Sequence, residues 1–162
     1  MSGTDAPERY RHTQIGYVIL ASCGVAAILC LVIGLRTGPP LIALVVAAVL
    51  AFAIILFVTL TVVVRQGAVE IRFGPGVLRK RFPLSEFTSV RVVRNKWYYG
   101  WGIRLIPGGW LYNVSGLDAV ELVRKNGRVL RIGTDEPVEL ERAIREAVGW
   151  PMKDNVDTTS PE

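Results

Sequence analysis

Residues 15–64 read IGYVILASCGVAAILCLVIGL, RTGPP, LIALVVAAVLAFAIILFVTLTVVV: two uncharged runs, Ile15–Leu35 and Leu41–Val64, divided by a short link. At a helical rise of about 1.5 Å per residue, each run can cover a hydrocarbon core of about 30 Å. Ser22, Thr59 and Thr61 are the only clearly polar side chains in either run. Neither run therefore has the polar stripe of a helix lying on a soluble core. A backbone without water must hydrogen-bond within itself, which makes helix the expected conformation. Gly38-Pro39-Pro40 ends the first helix and presets the second. A two-helix transmembrane hairpin over 15–64 is predicted.

Lys and Arg placement sets the expected orientation. Arg9 and Arg11 precede the first span, Arg65, Arg72, Arg79, Lys80 and Arg81 follow the second, and the link carries only Arg36. Both termini are expected in the cytoplasm, with the protein in the cell's inner membrane. The chain has 162 residues and a net charge of +5. Residues 65–104 hold nine basic residues against Glu70 and Glu86, whereas 105–150 are close to neutral. Positive charge next to a membrane span favours anionic headgroups, at about 1 kcal/mol per residue near the surface. Nucleic acid is not an expected partner, because no recognition motif accompanies the charge.

Within the spans, Ser22, Ala26, Cys30 and Gly34 recur every four residues, as do Ala43, Ala47 and Ala51. Small residues at this spacing let helices approach closely. The ridges pack either against each other within the hairpin or between copies of the chain. Cys23 and Cys30, the only cysteines, lie in the first run and imply neither a disulfide framework nor a zinc site. Leu20-Ala21-Ser22-Cys23 has the form of a lipoprotein cleavage box, but the apolar run continues well past it, as a membrane helix does. Residues 1–14 and 151–162 are polar and are expected to be disordered tails.

From Gly67 the apolar period falls to two, so residues 65–150 are expected to form one small domain. Strands are predicted from Val69, at 77–84, 87–94, 99–106, 110–115, 118–125 and 128–133. Gly74-Pro75-Gly76, Pro107-Gly108-Gly109 and Asn126-Gly127 supply turns, the last with the chemistry of a type I′ hairpin. Thr134-Asp135-Glu136-Pro137 opens a helix that Gly149 and Pro151 close, with Leu140, Ala143, Ile144, Ala147 and Val148 on its apolar face. The fold class predicted is a membrane helical hairpin followed by an all-β barrel of seven antiparallel strands in a meander, its open end capped by a C-terminal helix.

Seven antiparallel strands closed by one helix resemble the pleckstrin-homology (PH) superfold. The whole chain resembles bacterial PH-domain membrane proteins that carry this module behind two membrane helices. Residues 97–104 (WYYGWGIR) and 109–116 (GWLYNVSG) also resemble a signature of such proteins. The resemblance implies binding of lipid, peptide or another copy, and names no activity. Arg72, then Arg79 and Arg81, are similar to the basic pattern that binds phosphoinositides in eukaryotic PH domains. Gly74-Pro75-Gly76 is too short to wrap an inositol phosphate, which leaves nonspecific attraction to anionic headgroups.

Only Arg65-Gln66 separates the predicted second span from the first predicted strand, so the domain is expected to rest on the bilayer. If the strands stand away from the membrane and alternate, the near end holds Gln66, Pro83–Ser85, Pro107–Trp110 and Asn126-Gly127. Arg65 and Trp110 then become interface anchors. Gly74–Gly76, Asn95–Tyr98 and Ser115-Gly116 share the far end. Arg94, Lys96, Trp97 and Tyr98 form the candidate binding surface, since aromatic and Arg side chains dominate binding hot spots. The competing expectation is that alternate members such as Tyr99, Trp101 and Ile103 fill the core.

Catalytic chemistry has little to work with. His12 is the only histidine, and its expected place in the N-terminal tail offers no Ser/His/Asp or Cys/His arrangement. No metal-ligand set, cofactor or phosphate-binding loop is expected, and neither span carries an acidic residue. Asn113-Val114-Ser115 matches a glycosylation sequon that a cytoplasmic location would silence. The expected function is a non-enzymatic, membrane-anchored PH-like binding module for a protein partner or anionic headgroups. The alternative is a structural protein that self-assembles through the small-residue ridges.

Overall fold

The computed structural model describes residues 7–152; the expectations for 1–6 and 153–162 lie outside the described residues. In chain order the elements are β1 (Glu8–Ile15), α1 (Tyr17–Thr37), α2 (Pro40–Phe57), β2 (Thr59–Arg65), β3 (Ala68–Phe73), β4 (Leu78–Pro83), β5 (Phe87–Arg94), β6 (Gly102–Ile106), β7 (Gly109–Asn113), β8 (Asp118–Arg124), β9 (Val129–Gly133) and α3 (Pro137–Val148). Single 3-10 turns lie at Leu84–Glu86 and Trp97–Tyr99.

Among the described residues, two helices are long and apolar enough to cross a membrane. No α1 residue is buried, and Ala43 is the only buried residue of α2. So much uncovered apolar surface is compatible with a membrane-anchored β domain. The helices pack on each other, and the small-residue ridges meet at Gly34 and Ala43. A Cβ placed on Gly34 would lie 2.2 Å from the Ala43 Cβ, so the close approach exists because neither residue has a larger side chain. Ser22 and Ala51, farther along the same ridges, are exposed, and the Ser22 hydroxyl donates back to the Val18 carbonyl at 2.7 Å. Gly34→Leu is expected to splay the hairpin at a cost of about 1–3 kcal/mol, read as a lower unfolding temperature in detergent.

The second apolar run is not helical to its end. Helix α2 stops at Phe57, and Thr59–Arg65 form a strand. Residues 58–64 are VTLTVVV, and this β-branched density disfavours helix and suits a pleated surface. The remaining 18 residues of α2 still span about 27 Å. The expected N-terminal tail is likewise corrected. Residues 8–15 pair antiparallel with β2 along its whole length, from Glu8↔Arg65 to Ile15↔Thr59. The hairpin is therefore an insertion between two paired strands. The ladder runs directly into the helices, with Gly16 N–H donating to the Val58 carbonyl at 2.6 Å.

Among the described residues, nine strands, rather than seven, form two sheets ordered β1-β2-β3-β4 and β5-β8-β9-β7-β6. The sheets do not close into a barrel, and β7 pairs with β9 in parallel, so the second sheet is not a meander. Leu60, Val62, Val64, Ile71 and Phe73 from the first sheet share one core with Val90, Val120, Leu122, Leu130 and Ile132 from the second. Leu140, Ala143 and Ile144 of α3 join that core, and the helix packs against β5, β8, β1 and β2. It covers the seam between one pair of sheet edges rather than a barrel end. Gly149 at φ 79° closes α3, its amide donating to the Arg145 carbonyl at 2.8 Å. At the β8–β9 hairpin the positive φ (78°) falls on Gly127, whose amide donates to the Arg124 carbonyl at 2.8 Å. That geometry is a longer, bulged turn rather than the two-residue type I′.

The two additional strands reverse the expected near and far ends. Thr59 is the residue next to the helices, and Arg65 lies at the other end of β2, about 20 Å away at strand rise. Gly74 sits at the helix end: its amide donates to the Thr59 carbonyl at 2.9 Å, and a Cβ on it would lie 2.3 Å from the Ile55 carbonyl oxygen. Ser115 is also there, its carbonyl accepting from Gln14 Nε2 at 3.1 Å. By strand register, Arg94 (opposite Asp118) and Gly102 (opposite Asn113) belong to this end, while Phe87, Gly109 and Arg124 belong to the far one. Arg65 and Trp110 are thus not placed as interface anchors beside the helices. Arg65 pairs instead with Glu8 at 2.6 Å.

Candidate functional site

The helix end of the sheets carries a belt of exposed aromatic and basic side chains. After β5 the chain turns at Asn95, whose amide donates to the Leu117 carbonyl at 2.7 Å, and then makes the 3-10 turn Trp97–Tyr99. Gly100 (φ 70°) and Gly102 (φ 94°) return it to β6, so this strand begins later than the apolar pattern predicts. Trp97 is 76% and Tyr98 59% exposed; neither fills the core. Their rings meet edge to face with centroids 6.0 Å apart, and Tyr98 stacks in the same way on Tyr99 at 5.1 Å. The Lys96 ammonium lies 5.7 Å from the Tyr98 ring centroid, and the Tyr98 hydroxyl beside it favours the charged form. Arg94 is exposed at the end of β5, and Val77, Leu78 and Tyr17 add exposed apolar surface at this end of the sheets.

A buried ion network holds the base of this belt. Glu121, only 1% exposed in the middle of β8, accepts from Arg91 Nε at 2.7 Å and from Arg131 Nε at 2.7 Å. Arg131 continues to the Asn95 side-chain oxygen at 3.2 Å and lies over the Tyr99 ring at 5.9 Å. Burial opposes ionisation of Glu121, but the two guanidinium hydrogen bonds outweigh it and hold the carboxyl below its usual value. The loop is thus fastened at Asn95 and Tyr99 while Trp97 and Tyr98 project. The signal for this network is Glu121 itself, one acid inside the apolar strand AVELV. Its partners come from two other strands, which no local spacing reveals.

Arg72, Arg79 and Arg81 are brought onto one outer face of the first sheet, since Arg72 pairs in register with Arg79 and Glu70 with Arg81. Glu70 belongs to the same patch: its carboxylate accepts from Arg72 Nε at 2.8 Å, an interaction that lowers its pKa. Arg79 Nε donates to the Gly76 carbonyl at 2.9 Å. In the Gly74–Gly76 turn, Gly74 packs against the end of α2 and Gly76 lies against the Arg79 guanidinium.

His12 is on β1 and not in a tail. Its Nε2 lies 2.6 Å from Asp135 and its Nδ1 3.2 Å from Glu136. Both ring nitrogens face carboxylates, so neither is aimed at a nucleophile. Tyr10 donates to Glu136 at 3.1 Å; burial, reinforced by that carboxylate, raises its pKa. These contacts tie β1 to the start of α3. Among the described residues no group of three His, Cys, Asp or Glu could hold a metal ion. Compared with protein-family models, with curated proteins and with solved structures, the chain has no significant match.

Proposed function

We propose that the chain is a membrane-anchored binding module whose belt of Arg94, Lys96, Trp97 and Tyr98 lies in the headgroup layer and engages anionic lipid. The observation that carries this reading is the placement of the belt at the end of the sheets from which α1 and α2 leave. With Ile15 paired to Thr59 and helices starting one residue beyond β1, there is no linker through which the domain could move away from the bilayer. Exposed Trp and Tyr suit the interface, and nearby cations add electrostatic attraction. The Lys and Arg distribution favours the cytoplasmic leaflet of the inner membrane. The PH-like reading enters through element order alone, seven strands from β3 to β9 followed by α3, and the parallel β7–β9 pair departs from the antiparallel pattern.

The proposal is non-enzymatic: the lone histidine is spent on two carboxylates and the buried Glu121 on two arginines. Self-assembly through the helix ridges is the weaker reading, because Gly34 and Ala43 meet within one chain. The test is hydrogen exchange of residues 94–101 in nanodiscs. Added protection is expected with anionic lipid over zwitterionic lipid, lost in Arg94→Glu/Lys96→Glu and at high salt. Identical exchange in both lipids would remove headgroup recognition.

A further inference from the structure

Helix α3 seals the sandwich along β1, β2, β5 and β8, but the opposite seam is open. Strands β4 and β6 are the outer strands of their sheets. Between them runs a groove of about 920 Å³, lined by Phe82, Ile103, Ile106, Trp110, Tyr112 and Leu130 among others. Its floor is the contact between the Phe82 and Tyr112 rings, with centroids 5.9 Å apart. Three cations, Lys80, Arg124 and Arg128, line the groove, and no carboxylate does. Arg124 is engaged by Glu86 at 3.2 Å and by the Phe82 and Phe87 rings. Lys80 and Arg128 have no ion-pair partner among the described residues. The β6 edge contributes Ile103, Leu105 and Ile106, and Leu105 is 74% exposed.

We infer that this groove binds an extended acidic segment of a partner protein, which adds as a strand along β6 and sets its carboxylates against Lys80 and Arg128. This goes beyond the membrane-binding reading, since the groove is a second site separate from the belt. An unpaired edge offers main-chain hydrogen bonds, and alternate side chains of an added strand fall into the groove, the mode of β-strand addition. Alternation then calls for apolar residues facing Phe82 and Trp110, interleaved with acidic residues toward the cations. Five to six residues match the lengths of β6 and β4. Inward-pointing lysine and consecutive basic residues on β4 also guard an edge against like strands, and that same charge selects an acidic one. Lipid is the disfavoured occupant, because Trp110 and the Ile106–Gly109 turn lie at the end of the sheets away from the helices.

The test uses the full chain in detergent and a fluorescein-labelled hexapeptide of alternating glutamate and valine, read by anisotropy. Saturable, salt-sensitive binding is expected, at least tenfold weaker for Lys80→Glu/Arg128→Glu and unchanged for Arg11→Glu on the distant β1. The lysine–valine counterpart should bind at least tenfold more weakly. Equal binding by the charge-reversed variant, or none by the wild type, overturns the assignment. Displacement of the peptide by dioctanoyl phosphatidylglycerol, with the same sensitivity to the double variant, would make the occupant lipid and also overturn it. If the groove fails while residues 94–101 keep their anionic-lipid protection, the membrane reading stands alone; the opposite pair of results removes that reading and keeps the groove.

Discussion

Replacing Glu121 by leucine is expected to lower stability by about 3 kcal/mol, the loss typical of removing one partner from a buried ion pair. For a domain of this size that corresponds to a fall in melting temperature of roughly 12–20 °C. Arg131 is mostly buried, with its side chain 19% exposed, whereas Arg91 is 60% exposed and can return to water. The uncompensated charge therefore falls on Arg131. Because Arg131 also holds Asn95 and Tyr99, the loss should reach the belt, seen as faster hydrogen exchange at residues 95–99. Glu121→Gln keeps an acceptor oxygen and should cost less. The folded pKa of Glu121 lies below its ordinary value of 4.5. Its contribution is thus complete above that value and fades as pH falls through the depressed one. The wild type should lose stability on acidification more steeply than Glu121→Gln; parallel pH profiles would show that this carboxylate does not carry the network.

Gly74→Ala is expected to damage the joint between sheet and hairpin. Gly74 has φ 54°, and its added Cβ would stand 2.3 Å from the Ile55 carbonyl oxygen and 2.9 Å from that of Leu56. The left-handed conformation alone costs an L-residue about 1–2 kcal/mol. The clash is with backbone at the last turn of α2, which cannot rotate aside as a side chain can. A total of about 3 kcal/mol follows, with α2 pushed away from β3. Thermal unfolding in detergent measures the first effect, and an electron–electron distance between labels at Val45 and Glu70 measures the second. Gly127→Ala serves as the control, since nothing lies within 4 Å of its added Cβ; it bears only the φ strain. Equal losses at both positions would mean that Gly74 does not serve the joint.

The apolar runs and the seven strands from β3 to β9 were legible because they depend on local period: two for Val69, Ile71 and Phe73, and a continuous uncharged run for α1 and α2. What misled was the boundary at Val58. Apolar content does not change there, only side-chain branching does, so residues 58–64 pass as membrane helix by hydropathy and as strand by β-propensity. Their pairing with residues 8–15 supplied the rest, across an insertion of two helices that no local window bridges. That one displacement added two strands and inverted the ends of the domain, exchanging the places expected for Trp110 and Trp97. Lys96, Trp97 and Tyr98 were legible as an unusual aromatic-basic cluster, but their exposure was not, because Tyr99 and Trp101 in the same stretch are partly buried. The His12–Asp135 and Glu121–Arg131 contacts join residues far apart in sequence, and spacing cannot signal them.

In the proposed arrangement the belt, rather than the Trp110 end, is held at the bilayer. Single-tryptophan variants retaining only Trp97 or only Trp110, reconstituted with brominated lipids, test it most directly. Strong quenching of Trp97 with Trp110 unaffected, although both are exposed (76% and 49%), is the predicted result; quenching of Trp110 with Trp97 unaffected would contradict it.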